Sequence, residues 1–386
     1  MAESFLKREL RSRSLLVNER IADMVGNGFD WLFRRDQLIT SGRTPFEKVY
    51  DSDLMKVRYY ELPDEEDIEL ADGTRMPINR AQHDVPLVLV PPLGVTTETF
   101  DLMPQRSLVR YMAASGFKTY LIDWGEPQKK HAHLGLVDYA DVMFETALTH
   151  IREHSGSQQV SLMGWCMGGL LCLIHQGLQQ DPDIRNIITV ASPINLRGGG
   201  IVAGAAQSLN APAQLIRKYT DFRLDKLNPA TLHAPGWLTT LAFKMTDPIG
   251  SVMTYWDLVT RLWDREFVVA HSTTANYLNN MLLYPGGVIR DLTVRVAVDN
   301  DLASGRIEIG DRVAELSKID SNLLVFAGEK DILVKAPIAE KIMDVVASQD
   351  KTFYIKPGGH MGVILGSKAP DSVWSTTVEW LSDRSD

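Results

Sequence analysis

A cysteine among glycines is the residue of this chain best suited to nucleophilic chemistry. Cys166 lies at the centre of the run Gly164–Gly169, which reads G-W-C-M-G-G. A thiolate attacks an acyl carbon readily and holds the acyl group as a thioester. The small residues on both sides allow a sharp turn that exposes the sulfur atom. A sulfur nucleophile in such a turn favours thioester acyl transfer over ordinary ester hydrolysis.

Two residues further along the chain complete a set that can activate this thiol. Asp331 follows the apolar run 322–328, and His360 lies in the glycine-rich run Pro357–Gly362. We expect His360 to take the thiol proton, and Asp331 to orient the imidazole ring and stabilise its cation. The order nucleophile, acid, histidine is the order of the α/β-hydrolase fold. Each residue type is common alone, so their order and setting carry the prediction.

An acyl-transfer site also needs hydrogen-bond donors for the oxyanion of the tetrahedral intermediate. The backbone N–H of Met167, the residue after the nucleophile, is predicted as one donor, and that of Leu93, after Pro92, as the second. The helix predicted after Cys166 would stabilise the thiolate through its dipole. The other cysteine, Cys172, is interpreted as a small core residue. The two cysteines are too close along one turn and helix to favour a disulfide.

The elements that must position these residues follow a regular pattern from about residue 84. Short apolar runs alternate with helical stretches, which is typical of βαβ units and a parallel sheet. The carboxyl ends of such strands meet at one edge of the sheet, so we expect Cys166, Asp331 and His360 to meet there. The predicted strands lie near 85–90, 119–123, 160–163, 186–191, 322–328 and 352–355, and the predicted helices near 108–115, 139–154, 170–178 and 372–381.

The sequence therefore predicts an α/β-hydrolase fold with a mostly parallel central sheet and a helical cap. Residues 84–195 and 316–386 form the predicted core, and residues 196–315 form a cap or lid insertion that ends in a hairpin near 305–313. Residues 1–83 are predicted to be a helical and extended segment packed on the core, with a helix over about 4–36.

Composition narrows the functional classes. The 386 residues carry a net charge of -9, which argues against nucleic-acid binding as the main task. Only two cysteines are present, and no Cys/His cluster has metal-ligand spacing, so we expect a reducing compartment and no metal. The charged N-terminus is unlike a signal peptide, and no apolar run reaches the roughly 20 residues of a membrane span. We therefore expect a cytoplasmic protein without a transmembrane segment.

These residues resemble the polyhydroxyalkanoate (poly-3-hydroxybutyrate) synthases. The resemblance covers about residues 85–380, and the length suits the short, class III-like catalytic subunits, which work with a second subunit. The matching motifs are G-x-C-x-G-G at Gly164–Gly169, D-W-G-x-P at Asp123–Pro127, an Asp after the penultimate strand at Asp331, and G-G-H-x-G at Gly358–Gly362.

The resemblance implies an acyltransferase that polymerises 3-hydroxyacyl-CoA into polyhydroxyalkanoate. Cys166 would hold the acyl group as a covalent thioester with release of CoA, and His360 would activate the hydroxyl group of the next unit. The implied substrate is the coenzyme A thioester, with no bound cofactor. The implied partners are a second copy of the chain, a second synthase subunit or the surface of a polyester granule.

Three departures from the family pattern leave two alternatives open. The first alternative is a synthase-like thioesterase, hydrolase or acyltransferase that uses the same triad without polymerising. The second is a non-catalytic relative that binds polyester granules or a synthase partner. The departures are Val95–Thr97 where an Asn is usual, Tyr277–Asn280 where a Trp and an Asp are usual, and the bulky Trp165 beside the nucleophile.

Overall fold

The computed structural model describes residues 19–197, 228–232, 234–238, 240–241 and 256–385, with the single positions 199, 204 and 208. Its centre is an eight-stranded sheet, whose strands we number β1 to β8 along the chain. Their order across the sheet is β1-β2-β4-β3-β5-β6-β7-β8. The strands are β1 (Glu47–Asp51), β2 (Lys56–Tyr60), β3 (Leu87–Val90), β4 (Thr119–Asp123), β5 (Val160–Trp165), β6 (Ile184–Val190), β7 (Asn322–Gly328) and β8 (Lys351–Lys356).

The predicted α/β class with a mostly parallel sheet is confirmed. Strands β3 to β8 run parallel to one another. Strand β2 pairs antiparallel with β4, and β1 pairs antiparallel with β2. The sequence did not predict β1, because this edge strand reads E-K-V-Y-D and has no buried residue. An edge strand needs fewer apolar side chains than a central one, so its pattern is weak.

Apolar residues on both faces of the sheet produce two separate cores. Successive side chains of a strand point to opposite faces. In β3, Val88 and Val90 join one apolar cluster, whereas Leu87 and Leu89 join the other, and all four are fully buried. Helices cover both clusters, which is why the strand reads as a continuous apolar run rather than an alternating one.

The four core helices that the sequence predicts are present, whereas three short helices after β7 were not predicted. The helix expected at 139–154 begins as a π-helix and continues as an α-helix. Besides the N-terminal helix, the α-helices include Leu108–Ala114, Phe144–Ser155, Met167–Gln179, Arg265–Asn279, Gly286–Asp291, Asp301–Ser304, Ala336–Glu340, Ile342–Val345, Gly362–Leu365 and Ser375–Ser382. Helical turns of other types are Arg35–Leu38, Thr97–Phe100, Lys129–His131, Asp138–Met143, Pro229–Thr231, Leu292–Val298, Leu316–Lys318 and Pro370–Trp374.

The described residues between β6 and β7 add no strand to the central sheet. They are mainly helical, as predicted, and the longest helix there is Arg265–Asn279. The predicted hairpin is confirmed as Arg306–Ile309 paired antiparallel with Arg312–Glu315. Two further short hairpins pair Asp67–Glu69 with Arg75–Pro77, and Asp101–Met103 with Arg106–Ser107. The exact domain limits at 83, 195 and 315 stay predictions.

The described part of the N-terminal helix spans residues 19–33. Positions 4–18 of the predicted helix lie outside the described residues. The helix contacts the insertion through polar side chains: Asn27 donates to the carbonyl oxygen of Leu262 (2.7 Å), and Asp30 pairs with Arg265 (2.7 Å). Most of its large apolar residues are exposed, and Phe33 is the most exposed of them at 73%. Trp31 packs against the small apolar cluster of Leu38, Leu258 and Val268, so this side of the helix faces the insertion. No helix in the described ranges is both long and apolar enough to cross a membrane.

Candidate active site

Cys166 occupies a strained turn between β5 and the helix Met167–Gln179. Its backbone has φ 51° and ψ -118°, a left-handed conformation that non-glycine residues adopt at a cost of about 1–3 kcal/mol. The N–H of Cys166 donates to the carbonyl oxygen of Val190 at 2.8 Å, which ties the turn to β6. Such a turn places a half-buried sulfur at the carboxyl end of the sheet and at the N-terminus of a helix.

A close approach of two backbones explains the glycine two residues after Cys166. A Cβ atom at Gly168 would lie 2.0 Å from the carbonyl oxygen of Val90 and 3.0 Å from the carbonyl carbon of Pro91. Only glycine lets the helix start this close to the end of β3. The contact brings Met167 beside the loop Pro91–Val95, which contains Leu93.

Asp331 and His360 meet at the same edge of the sheet. The Nδ1 atom of His360 lies 2.8 Å from Oδ2 of Asp331, and the two residues are 8% and 4% exposed. The other carboxylate oxygen, Oδ1, accepts from the backbone N–H groups of Leu333 (2.9 Å) and Val334 (2.8 Å). Both oxygens of Asp331 are therefore occupied, and its side chain is fixed in the direction that orients the imidazole ring.

The electrostatic surroundings favour a protonated His360. Burial by itself lowers the pKa of His360, but the charge of Cys166 and hydrogen bonds with Asp331 and Cys166 outweigh it and raise the pKa to about 10. The Asp331–His360 pair lies beside the turn at Cys166, since the side chain of Trp165, the residue before Cys166, donates to the carbonyl oxygen of His360. A thiol that gives its proton to such a histidine leaves a thiolate–imidazolium pair.

We expect the raised pKa of His360 to affect stability between about pH 6.5 and 10. The folded pKa of about 10 lies above the ordinary 6.5, so the protonated ring stabilises the fold at low pH. This contribution is lost as the pH rises through the folded pKa. The Cys166→Ala variant removes the charge of Cys166, so the pKa of His360 should fall.

The measurement is an NMR titration of the His360 ring, together with free energies of unfolding at several pH values. The Cys172→Ala variant is the matched control, because it removes the thiol that does not contact His360. A wild-type ring that titrates at the ordinary pH, unchanged in Cys166→Ala, would contradict the ion pair.

The two predicted oxyanion donors lie on adjacent elements. Met167 is the first residue of its helix, where a backbone N–H has no acceptor within the helix. Leu93 is buried in the loop after β3, and strand β3 pairs with β5 up to Val90 and Gly164. Met167 and Leu93 therefore lie on elements that flank the turn at Cys166. Their catalytic roles, and those of the triad, stay predictions.

Trp165 contacts the catalytic histidine candidate in a way the sequence did not reveal. Its Nε1–H donates to the backbone carbonyl oxygen of His360 at 3.2 Å, and the two ring centroids are 5.5 Å apart. Trp165 is 1% exposed. The large side chain beside the nucleophile therefore supports the loop that holds His360. The sequence signalled only an unusually bulky residue.

The Trp165→Phe variant is expected to lower both turnover and stability. The carbonyl of His360 loses its buried donor, which costs about 1–3 kcal/mol of unfolding free energy. A shifted imidazole should lower kcat by about ten- to a hundredfold, because catalysis is sensitive to small displacements. Steady-state kinetics and thermal unfolding measure the two effects.

The matched control is Trp374→Phe. Trp374 is also fully buried and donates its Nε1–H to a backbone carbonyl, that of Ile364, at 3.0 Å. We expect a similar loss of stability with a much smaller loss of kcat. Equal losses of kcat in the two variants would show that Trp165 acts only through global stability.

The remaining candidates have structural surroundings. Cys172 is fully buried, and burial raises the pKa of its thiol. Asp123, in the D-W-G-x-P motif, pairs with Arg58 at 2.5 Å and accepts from the N–H of Gly125 at 2.9 Å. It thus supports the turn after β4. Within the described ranges, no group of three or more His, Cys, Asp or Glu side chains is arranged to hold a metal.

Comparison with known proteins agrees with this geometry. A family model described as the alpha/beta hydrolase fold matches residues 86–367. The chain belongs to the α/β-hydrolase family. A solved structure of a soluble variant of monoglyceride lipase from Saccharomyces cerevisiae covers 90% of this chain and 97% of its own, with a TM-score of 0.50 and 15% identity. This likeness supports the fold alone.

The resemblance to polyhydroxyalkanoate synthases is confirmed by curated relatives. The poly(3-hydroxyalkanoate) polymerase subunit PhaC of Allochromatium vinosum is 25% identical, over 93% of this chain and 94% of that protein. The PhaC subunit of Haloferax mediterranei is also 25% identical, over 90% of this chain and 66% of that protein. The chain therefore spans nearly all of the Allochromatium vinosum protein and about two thirds of the Haloferax mediterranei protein.

Proposed function

We propose that this protein is a polyhydroxyalkanoate synthase that transfers 3-hydroxyacyl groups from coenzyme A to Cys166 and then to a growing polyester. The observation that carries the proposal is the meeting of Cys166 with the His360–Asp331 pair, in a chain whose curated relatives are poly(3-hydroxyalkanoate) polymerase subunits. The likeness to these relatives favours polymerisation over hydrolysis.

The first half-reaction acylates Cys166. Its proton moves to His360, and the thiolate attacks the carbonyl carbon of the 3-hydroxyacyl-CoA thioester. The backbone N–H groups of Met167 and Leu93 stabilise the oxyanion that forms. When the intermediate collapses, the bond to the coenzyme A sulfur breaks, and His360 returns a proton to the leaving thiolate. Asp331 stabilises the imidazolium throughout.

The second half-reaction extends the polyester. His360 accepts the proton of the hydroxyl group on another hydroxyacyl unit, and the oxygen attacks the thioester on Cys166. An ester bond forms, the bond between carbon and sulfur breaks, and Cys166 recovers its proton through His360. The same oxyanion donors serve both steps, since both pass through a tetrahedral intermediate.

The proposal includes the expected surroundings of the enzyme. No bound cofactor takes part, because the activated acyl group arrives as a coenzyme A thioester. A second copy of the chain, a second synthase subunit and the surface of a polyester granule in the cytoplasm are the expected partners. The helical insertion between β6 and β7 is the expected gate for the pantetheine arm and the polymer.

The test supplies 3-hydroxybutyryl-CoA to the purified full chain, alone and with a candidate second subunit. Release of coenzyme A together with insoluble polyester supports the proposal. Release with free 3-hydroxybutyrate would assign the protein as a thioesterase that uses the same triad. No release under either condition would contradict both and favour a non-catalytic binding role. Intact-protein mass spectrometry, with limiting substrate, should detect the hydroxyacyl group on the peptide that contains Cys166.

A further inference from the structure

The insertion between β6 and β7 holds the loop that contains Leu93 through two hydrogen bonds. The hydroxyl of Tyr284 donates to the carbonyl oxygen of Leu93 at 2.5 Å. The backbone N–H of Leu282 donates to the next carbonyl oxygen, that of Gly94, at 2.8 Å. Two successive peptide groups are therefore fixed by a segment 191 residues further along the chain.

The ring of Tyr284 also lies against the backbone of Gly94. A Cβ atom built on Gly94 would be 2.0 Å from Cε2 of Tyr284 and 2.5 Å from Cζ, and Gly94 has φ 82°. Glycine is required here both by the left-handed backbone and by the contact. The loop and the aromatic ring are thus matched in shape, as well as joined by the hydroxyl group.

The backbone of Tyr284 is itself anchored within the insertion. It exchanges two backbone hydrogen bonds with Ala234, since its N–H donates at 3.0 Å and its carbonyl accepts at 3.2 Å. Because this bridge fixes the backbone of Tyr284, the position of the insertion determines where its hydroxyl group holds the loop. A mobile surface side chain could not hold the loop in this way.

The hydroxyl group of Tyr284 remains a donor at all relevant pH values. Burial raises the pKa of Tyr284, and the charges of Cys166 and Tyr277 raise it further. The loop that Tyr284 holds lies beside the turn at Cys166, because a Cβ atom at Gly168 would be only 3.0 Å from the carbonyl carbon of Pro91.

We propose that Tyr284 is a positioning residue for the oxyanion hole. By holding the carbonyl group of Leu93, it restricts the backbone rotation of Leu93 and so limits the direction of the Leu93 N–H, which belongs to the preceding peptide group. Tyr284 thereby links the position of the insertion to stabilisation of the tetrahedral intermediate. Tyr284 acts through Leu93 and not on the acyl group itself. This inference rests on the proposed acyl transfer at Cys166, but it does not depend on which acyl group is transferred.

The test compares two reactions of Cys166 in the Tyr284→Phe variant of the full chain, one that forms an oxyanion and one that does not. Acylation of Cys166 by p-nitrophenyl butyrate passes through a tetrahedral oxyanion, whereas alkylation by iodoacetamide does not. Loss of an oxyanion donor costs about 10²–10³ in rate, so misorientation of one donor should slow acylation by about tenfold or more. The alkylation rate and the KM for the ester should stay close to the wild-type values.

The matched control is Tyr277→Phe. Tyr277 is a buried phenol whose pKa is also raised by burial and by the charge of Cys166, but its hydroxyl pairs with Thr99 at 2.6 Å rather than with the β3 loop. Its removal should leave the ratio of acylation to alkylation unchanged. Thermal unfolding of both variants confirms that the fold is retained.

The outcomes distinguish this inference from the proposed function. Equal acylation rates in wild type and Tyr284→Phe, or a parallel loss of acylation and alkylation, would overturn the role of Tyr284. A selective loss of acylation supports it even if 3-hydroxybutyryl-CoA yields no polymer, in which case only the proposed function fails. A wild-type chain that reacts with iodoacetamide but with no ester or thioester would contradict both.

Discussion

Replacement of Cys166 by serine is expected to lower turnover of 3-hydroxybutyryl-CoA by more than about a thousandfold, as is usual for loss of a catalytic nucleophile. A serine hydroxyl does not ionise near neutral pH. Without the thiolate, His360 also loses the charge that raises its pKa. The variant therefore lacks both the charged nucleophile and the protonated histidine that returns a proton to coenzyme A.

The measurement is coenzyme A release, with Cys172→Ala as the matched control. Cys172 is fully buried in the core, away from the turn at Cys166, and its loss should affect stability alone. Wild-type rates in Cys166→Ser would rule out the assigned nucleophile. A comparable loss in Cys172→Ala would show that the assay reports general damage to the fold.

The Asp331→Asn variant is expected to lower kcat by about 10³–10⁴-fold while keeping the local fold. An amide oxygen can still accept from the N–H groups of Leu333 and Val334, so the turn after β7 is preserved. The amide NH₂ group, however, donates to Nδ1 of His360 where the carboxylate accepted. This reversal favours the ring tautomer that carries its proton on Nε2, which cannot accept a proton from Cys166.

Two measurements check this prediction. The NMR titration of His360 should show a lower pKa in Asp331→Asn, because the hydrogen bond and charge of Asp331 both raise it. The thermal midpoint should fall only by the stability that depends on the protonated ring, since the backbone contacts of the turn remain. Near-normal kcat with a normal histidine titration would remove Asp331 from the triad and leave it as a turn residue.

The sequence by itself determined the class of fold and predicted the candidate residues of the site. Cys166, Asp331 and His360 are identified by residue type and by order along the chain, and each follows an apolar run that predicts a strand. Strand and helix periods are local properties, so they can be seen in a single sequence. The parallel sheet then follows, and with it the meeting of the three residues at one edge.

Only the tertiary structure decided how the three residues are supported. The hydrogen bond from Trp165 to His360 joins residues 195 positions apart, and the bond from Tyr284 to Leu93 joins residues 191 apart. No local period indicates such contacts, because they depend on how the insertion and the loops pack on the sheet. The same reason explains the N-terminal helix, whose apolar pattern predicted a helix but not the side that docks.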